Sequence, residues 1–225
     1  MRKNNFQYIL YLIVIFTICS CVGEGGNSFF KPKRVSPPSL EDRVIASRAE
    51  NLGRASWQQP TFIVSKLGDL EGKTVADIGS GTGYFTFHLA HLCKKVIAID
   101  IDEEMLAYID TYRSDKPNIE TRLAEPNNPM LSIGEIDKAL IVNTIGYIED
   151  LQGYLRTLKP GIAKGGTLVI SDFKAPDIHV PTPSLENIVS VKKLQKDLLD
   201  AGYIDINIDD TTLQYQYVVT AKVPD

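Results

Sequence analysis

A glycine-rich turn between an apolar strand and a helix constrains this sequence more than any other feature. The strand is predicted at residues 74–78, and Gly79, Gly81 and Gly83 follow it at alternate positions. Glycine lets the backbone adopt positive φ and approach a ligand closely. An apolar pattern with helical spacing then begins at Tyr84. Since the first N–H groups of a helix lack partners within it, this order predicts a site for a nucleotide-like ligand.

Apolar strand-like segments alternate with helical patterns along the chain. Strands are predicted at residues 74–78, 96–102, 119–123, 135–143, 167–172, 203–208 and 213–219. The last two alternate strictly and are separated by a polar turn, as in an antiparallel hairpin. This order predicts an α/β fold, a doubly wound Rossmann-like seven-stranded sheet with a C-terminal antiparallel hairpin.

Helices are predicted before and between these strands. They are expected at residues 39–52, 59–67, 84–90, 103–113, 151–158 and 185–201. Asp102 is the expected N-cap of the fourth helix, because Glu103 and Glu104 follow it in the first turn. Gly165 and Gly166 are expected to turn the chain into the fifth strand.

Asp100 stands at the end of the second predicted strand, about 20 residues after the glycine-rich turn. A carboxylate at this place can accept hydrogen bonds from both ribose hydroxyls of a nucleotide-like ligand. Its alternative role is a helix N-cap. Since Asp102 suits that role better, Asp100 is assigned to the ligand.

The spacing of the glycines distinguishes between two kinds of ligand. The dinucleotide fingerprint needs its third glycine at position 84, which is occupied by Tyr84. The G-x-G-x-G spacing, with Asp77 two residues before the first glycine, resembles motif I of the class I S-adenosylmethionine (SAM)-dependent methyltransferases. The order of strands and helices over residues 70–225 resembles the same family, including its terminal hairpin.

The resemblance implies SAM as the cofactor and suggests roles for several residues. Asp77 would organise the loop and the amino-acid end of SAM, and Glu125, after the third strand, would hold the adenine amino group. A solvated loop acid is the alternative for Glu125. The residues expected to bind the cofactor are Asp77, Gly79, Ser80, Gly81, Gly83, Asp100, Ile101, Glu125 and Asn143.

The catalytic residues are not identified by any motif, and the candidates follow the fourth strand. Asn143, Thr144 and Tyr147 lie where the carboxyl ends of parallel strands line a ligand crevice. Methyl transfer from a sulfonium needs positioning and desolvation more than acid–base help, so no triad is expected. His88 and His91 share a helix, but no third ligand is visible, so no metal site is predicted.

Four segments resemble a bacterial, small-molecule-type methyltransferase subgroup whose members often carry an N-terminal export or lipoprotein signal. The segments are residues 57–60, 75–85, 125–129 and 142–144. That subgroup usually has a histidine pair after Asn-Thr, where this chain has Gly146 and Tyr147. If that pair takes part in catalysis in the subgroup, a different substrate or weak activity is expected here. The expected substrate is an unidentified, small-molecule nucleophile. The absence of an Asp/Asn-Pro-Pro-Tyr motif argues against nucleic-acid bases and glutamine side chains.

The N-terminal segment has the order of a secretory signal. Residues 1–21 contain charged residues, an apolar run and then small residues. The run is shorter than the roughly 20 apolar residues that a membrane span needs. Ile18-Cys19-Ser20-Cys21 resembles a lipobox, which predicts an exported, membrane-associated lipoprotein lipidated at Cys21; an uncleaved anchor is the alternative. Residues 22–38 are predicted to be a linker and residues 39–225 the methyltransferase domain.

Two other functions remain open at this level. A net charge of −4 without a basic cluster argues against a nucleic-acid partner. An exported binding protein that keeps the fold without turnover is one alternative, because SAM is expected mainly in the cytoplasm. A nicotinamide-dependent oxidoreductase is another, against which Tyr84 argues. Trp57 could line the pocket or anchor the N-terminal helix, and His179, in a loop that fits a substrate lid, could be a general base or a surface residue.

Overall fold

The computed structural model describes residues 39, 41, 44, 53–174 and 187–225. Its helices are α1 (Arg54–Gln58), α2 (Pro60–Ser65), α3 (Tyr84–Leu89), α4 (Glu103–Tyr112), α5 (Leu151–Leu158) and α6 (Val191–Asp200), with 3-10 turns at Ile145–Tyr147 and Lys159–Gly161. Its strands are β1 (Thr74–Ile78), β2 (Lys95–Asp100), β3 (Ile119–Leu123), β4 (Ile136–Val142), β5 (Ile162–Phe173), β6 (Ile204–Asp209) and β7 (Gln216–Lys222). The predicted signal, lipobox and linker lie outside the described residues.

The seven strands form one sheet in the order β3-β2-β1-β4-β5-β7-β6. Strands β1 to β5 pair in parallel, whereas β7 is antiparallel to both of its neighbours. The predicted fold class is therefore confirmed, including the C-terminal hairpin. Ile78 pairs with both Ile99 and Ile141, so the carboxyl ends of β1, β2 and β4 lie side by side at the same edge of the sheet.

Both faces of the sheet are covered by apolar side chains. Ala76 and Ile78 of β1 pack in a cluster with α5 and α6 on one face. Val75 packs in a second cluster with α2, α3 and α4 on the other. A parallel sheet buried on both faces needs strands that are apolar almost throughout. This requirement explains why the central strands could be located in the sequence.

The predicted turn at Gly165 and Gly166 was wrong, because β5 is one strand from Ile162 to Phe173. The register shifts within it: Ile136 pairs with Ile162, but Lys138 pairs with Thr167. The glycines lie in this bulge, where Gly165 has φ of 68°. Gly165 N–H donates to the Val223 carbonyl, and Val223 N–H donates to that of Gly166, so the chain beyond β7 holds the bulge in place. Glycine suits such a position because it adopts positive φ without strain.

The start of one helix also differs from the prediction. Helix α6 begins at Val191 rather than at residue 185, because Ser190 caps it by accepting a hydrogen bond from Lys193 N–H. Gly53, expected to end the predicted helix over 39–52, is the N-cap of α1, with φ of 76°. The predicted helix over 39–52 lies almost wholly outside the described residues. Asp102 caps α4 as predicted. Within the described ranges, no helix is long and apolar enough to cross a membrane.

Candidate functional site

A crevice of about 260 Å³ opens at the carboxyl edge of β1, β2 and β4. Its lining consists of Ile78, Gly79, Ile99, Asp100, Ile101, Ala124, Glu125, Pro126, Asn143, Thr144, Tyr147, Ile148 and Tyr154. Seven of the residues predicted for the cofactor or for catalysis lie here: Gly79, Asp100, Ile101, Glu125, Asn143, Thr144 and Tyr147. The crevice therefore brings together loops that follow four different strands.

Gly79 begins the glycine-rich turn and is required there for two reasons. Its φ of 72° is unfavourable for residues with a side chain. A Cβ at this position would also overlap the side chain of Thr144. The turn after β1 and the segment after β4 therefore approach each other closely only because residue 79 is glycine.

Asp77 lies beneath the turn and outside the crevice lining. It is 3% exposed and accepts a 2.6 Å hydrogen bond from the Thr86 hydroxyl on α3. The pKa of Asp77 is raised from 3.8 to about 6, chiefly by burial; the Thr86 hydrogen bond and the Arg54 charge oppose this rise, and the nearby Asp100 charge adds to it. Asp77 thus ties the end of β1 to the helix that follows the turn.

The other three turn residues that were predicted to bind the cofactor also lie outside the crevice lining. Ser80 is buried, and its hydroxyl has no hydrogen-bond partner within the described residues. Gly81 donates its backbone N–H to Asp100 over 2.8 Å. Gly83 has φ of 86°, and a Cβ there would press against Phe87. Gly81 therefore links the turn to the end of β2, and Gly83 allows the turn to pack closely against α3.

Each carboxylate oxygen of Asp100 accepts one hydrogen bond from a backbone N–H group. Its Oδ2 accepts from Gly81 N–H at 2.8 Å, and its Oδ1 accepts from Asp102 N–H at 3.0 Å. Burial raises the pKa of Asp100, and these two hydrogen bonds oppose that effect. A carboxylate can accept about four hydrogen bonds, so capacity for two more remains on the crevice side.

The outer part of the crevice combines apolar surface with one acid. Glu125 and Asn128 exchange backbone hydrogen bonds of 3.0 Å, which hold a tight turn around Pro126. Ile101, on the opposite loop, is 61% exposed although it is large and apolar. An exposed isoleucine beside a fixed loop provides a flat apolar surface of the kind that ligand pockets use.

The candidates after β4 differ in how firmly they are held. Asn143 has φ of 57°, and its Oδ1 accepts hydrogen bonds from Gln58 Nε2 at 3.3 Å and Gln216 Nε2 at 2.5 Å. Thr144 donates its hydroxyl to the Val142 carbonyl at 2.9 Å. Tyr147, in a 3-10 turn, is 61% exposed at the rim.

Sequence reasoning missed several polar residues that pack beside the crevice. Gln58 and Gln216 are completely buried, although the alternation along β7 had placed Gln216 on a polar face. Asp172, at the end of β5, is 2% exposed, and its Oδ2 has no partner among the described residues. Burial raises the pKa of Asp172 to about 6. The position of Asp172 at a strand's carboxyl end was the one signal that could have identified it.

Three other predictions concern residues outside the crevice. The Trp57 ring lies 5.9 Å from that of Phe173 and 6.5 Å from that of Tyr215, so it anchors α1 to the sheet rather than lining the pocket. In the described part of the chain, no three His, Cys, Asp or Glu side chains form a group that could hold a metal ion. His179 lies outside the described residues.

The known proteins that this chain resembles in sequence or in fold include several methyltransferases. Residues 76–170 match a family model described as a methyltransferase domain. A demethylmenaquinone methyltransferase of Tropheryma whipplei is 33% identical over 126 residues, which cover 54% of this chain and 50% of that protein. A ribosomal RNA small subunit methyltransferase A of Koribacter versatilis is 34% identical over 90 residues, 40% of this chain and 30% of that protein.

The chain thus spans half or less of the length of these relatives. Among solved structures, a SAM-dependent methyltransferase from Aquifex aeolicus superposes with a TM-score of 0.73 at 24% identity, covering 81% of this chain and 98% of that one. The described domain therefore has the fold of the SAM-dependent methyltransferases, and residues 76–170 match the sequence of a methyltransferase domain.

Proposed function

We propose that this protein is a SAM-dependent methyltransferase that binds SAM in the crevice and transfers its methyl group to a small molecule. The observation that carries the proposal is Asp100, a half-buried carboxylate at the carboxyl end of β2 that accepts hydrogen bonds from two backbone N–H groups. The methyltransferase-domain match and the fold both support SAM as the cofactor. The proposed methyl transfer is supported by the side chains that line the crevice.

The side chains of the crevice fit the chemistry of SAM. Asp100 has acceptor capacity for the two ribose hydroxyls. The apolar surface of Ile101 suits an adenine ring, and Glu125 lies in the same lining, where its carboxylate would accept from the adenine amino group. Gly79 and Asn143, which follow β1 and β4, complete the lining, and the amino-acid part of the cofactor would extend toward them.

Bound SAM supplies a methyl group on a positively charged sulfur, which is already an activated leaving group. The chain has to orient an acceptor in line with that bond and exclude water. Thr144 and Asn143 are fixed by hydrogen bonds to the ends of β4 and β7. Fixed side chains hold a reactant in one geometry without further loss of entropy at the moment of reaction.

A second cavity of about 500 Å³ adjoins the crevice and is the proposed entrance for the methyl acceptor. Tyr147 and Ile148 line both cavities. Glu149, Asn187 and Lys193 add polar groups to the second. A small molecule with a polar substituent fits this setting. RNA is the alternative acceptor, and the net charge of −4 argues against it.

The experiment that tests the cofactor is a calorimetric titration of the full chain, in mild detergent, with SAM. Asp100→Ala should weaken binding by roughly 1.5–3 kcal/mol, because charged hydrogen bonds to the ribose are lost. Asp102→Ala is the matched control: it removes the cap of α4, costs about 1 kcal/mol of folding stability, and should leave SAM affinity unchanged. A folded wild type without SAM binding would instead favour a non-catalytic binding protein.

We also propose that the chain is an exported lipoprotein, with the signal at residues 1–21, a linker at 22–38 and the domain from residue 39. The lipobox-like Ile18-Cys19-Ser20-Cys21 supports this assignment. Labelled palmitate should be incorporated into the chain in a bacterial host, and Cys21→Ser should abolish labelling while Cys19→Ser retains it. Equal labelling of both variants would refute lipidation at Cys21, and an uncleaved anchor would be the remaining interpretation.

A further inference from the structure

A row of buried amide side chains runs from helix α1 to the wall of the crevice. Gln58 on α1 and Gln216 on β7 are completely buried, although 158 positions separate them in the sequence. Gln58 Nε2 donates to Gln216 Oε1 at 2.8 Å, and Ser171 adds a hydroxyl donor to the same oxygen at 3.4 Å. Asn143, which lines the crevice, completes the row. Buried polar groups in such a row constrain one another's orientation.

Arg54 fixes the direction of every hydrogen bond in the row. A guanidinium has donors and no acceptor, so the atom that faces it must be an oxygen. Arg54 Nε donates to Gln58 Oε1 at 2.6 Å. The Gln58 amide can therefore only present its Nε2 to Gln216, which in turn must present Oε1. The Nε2 of Gln216 is then the atom left to face Asn143.

The direction set by Arg54 reaches Asn143. Its Oδ1 accepts from the Nε2 atoms of both glutamines, at 3.3 Å and 2.5 Å. Its Nδ2, the other end of the same amide, donates to no residue in the described part of the chain. Because Asn143 lines the crevice, Nδ2 is the polar atom that this side chain offers to a bound molecule.

We propose that Arg54, Gln58 and Gln216 are positioning residues, which hold the Asn143 amide so that its two N–H donors bind a carboxylate or carbonyl oxygen of the molecule in the crevice. The proposal deepens the proposed function and rests on it for the identity of that molecule. The oxygen belongs either to the amino-acid carboxylate of the cofactor or to the methyl acceptor, and the experiment distinguishes the two sources.

The proposal predicts that one substitution inverts the row. In Gln58→Glu, both side-chain oxygens are acceptors, one for Arg54 and one facing Gln216. Gln216 must then turn its Nε2 toward residue 58 and its Oε1 toward Asn143. Asn143 in turn rotates its amide, so that Nδ2 donates into the row and Oδ1 faces the crevice. A donor site becomes an acceptor site without any change in the residue that touches the ligand.

Hydrogen exchange of the Asn143 side-chain amide measures this orientation. We would label asparagine with ¹⁵N in the deuterated full chain, in detergent, and identify the signal by its loss in Asn143→Asp. In wild type the Nδ2 protons face the crevice and exchange rapidly with solvent. In Gln58→Glu they are hydrogen-bonded inside the protein and should exchange at least about tenfold more slowly. Gln58→Met fills the same space without polarity and should leave exchange rapid.

Two results would overturn the orientation. Slow exchange of the Asn143 Nδ2 protons in unliganded wild type would mean that they already have a partner inside the protein. Unchanged rapid exchange in folded Gln58→Glu would mean that the row does not control Asn143. The wild-type measurement decides the question even where the variant does not fold.

Two ligands identify the source of the oxygen. S-adenosylhomocysteine carries the amino-acid carboxylate, whereas 5′-methylthioadenosine lacks it. If the cofactor supplies the oxygen, S-adenosylhomocysteine alone slows Asn143 exchange, and Gln58→Glu weakens its affinity about tenfold without affecting 5′-methylthioadenosine. If neither ligand slows exchange while both bind, the oxygen belongs to the methyl acceptor. If folded wild type binds neither ligand, the proposed function is refuted. The exchange rates of the unliganded protein still test the orientation of the Asn143 amide in that case.

Discussion

Replacing Asp77 by asparagine should stabilise the protein at neutral pH. The substitution would keep the size of the side chain and an oxygen that accepts from the Thr86 hydroxyl, which lies 2.6 Å from the Asp77 carboxylate. It would remove a carboxylate that is 3% exposed and must lose most of its hydration to ionise in place. The prediction concerns stability alone and needs no knowledge of the substrate.

The magnitude follows from the two pKa values of Asp77. Burial raises the pKa from 3.8 to about 6 in the folded protein. The difference of 2.2 corresponds to about 3 kcal/mol at 1.36 kcal/mol per pKa unit. Because the folded pKa is the higher one, the stabilisation is complete below pH 3.8 and is lost as the pH rises through about 6. The free energy of unfolding of wild type should therefore fall over this range by about 3 kcal/mol more than that of Asp77→Asn.

Urea unfolding of the full chain at pH 4 and pH 7.5, in detergent, measures this difference. The fluorescence of Trp57, the single tryptophan, reports unfolding because its ring packs against Phe173 and Tyr215. Asp172 also has a pKa raised to about 6, but it is present in both proteins and cancels in the comparison. Thr86→Val is the opposing control: loss of the hydroxyl donor should raise the Asp77 pKa further and enlarge the loss of stability between the two pH values.

The reasoning would be refuted if the stability difference between Asp77→Asn and wild type were the same at both pH values. A shift in favour of wild type would also contradict it, that is, an Asp77→Asn variant whose stability relative to wild type is lower at pH 7.5 than at pH 4. Either result would mean that the Asp77 carboxylate is stabilised in the fold by more than its hydrogen bond to Thr86.

Two further predictions concern steric fit around the crevice. Gly79→Ala should destabilise the fold by about 1–3 kcal/mol, since its Cβ overlaps Thr144; urea unfolding should show a smaller loss for Gly81→Ala, where a Cβ meets nothing within 4 Å. Thr144→Ala should recover part of the loss in the Gly79→Ala background, and additivity of the two changes would disprove the overlap. Gly146→His should destabilise strongly, because even a Cβ there overlaps a backbone carbonyl of the segment before α6. Tyr147→His should fold normally, since residue 147 is exposed, and equal melting temperatures of the two variants would contradict this account.

The fold could be predicted because its strands and caps have local signals. The central strands are buried on both faces, so they are apolar throughout, and Asp102 has the residue type and the following acids of a helix cap. The bulge at Gly165 and Gly166 could not be distinguished from a turn, because it depends on hydrogen bonds from Val223. Its cause lies in the chain just beyond β7, which is remote in sequence.

The candidate site was predicted in part, for a related physical reason. Asp100 ends β2, whereas Gly79 and Asn143 follow β1 and β4 directly, and the edge of a parallel sheet brings such residues together. Gln58 and Gln216 could not be predicted, because each looks like an ordinary surface amide until α1 and β7 bring them into contact. The roles of the crevice residues toward SAM stay predictions.

The position of β7 has a consequence for how the protein is made. Strand β7 is synthesised after β6, yet it lies between β5 and β6 in the sheet. Until residues 216–222 leave the ribosome, β5 presents an unpaired apolar edge, and β6 has no strand to join. Unpaired edges of this kind recruit other strands and so favour aggregation. The sheet therefore cannot close until β7 is available, and the interval before that is when the nascent chain is most exposed to aggregation.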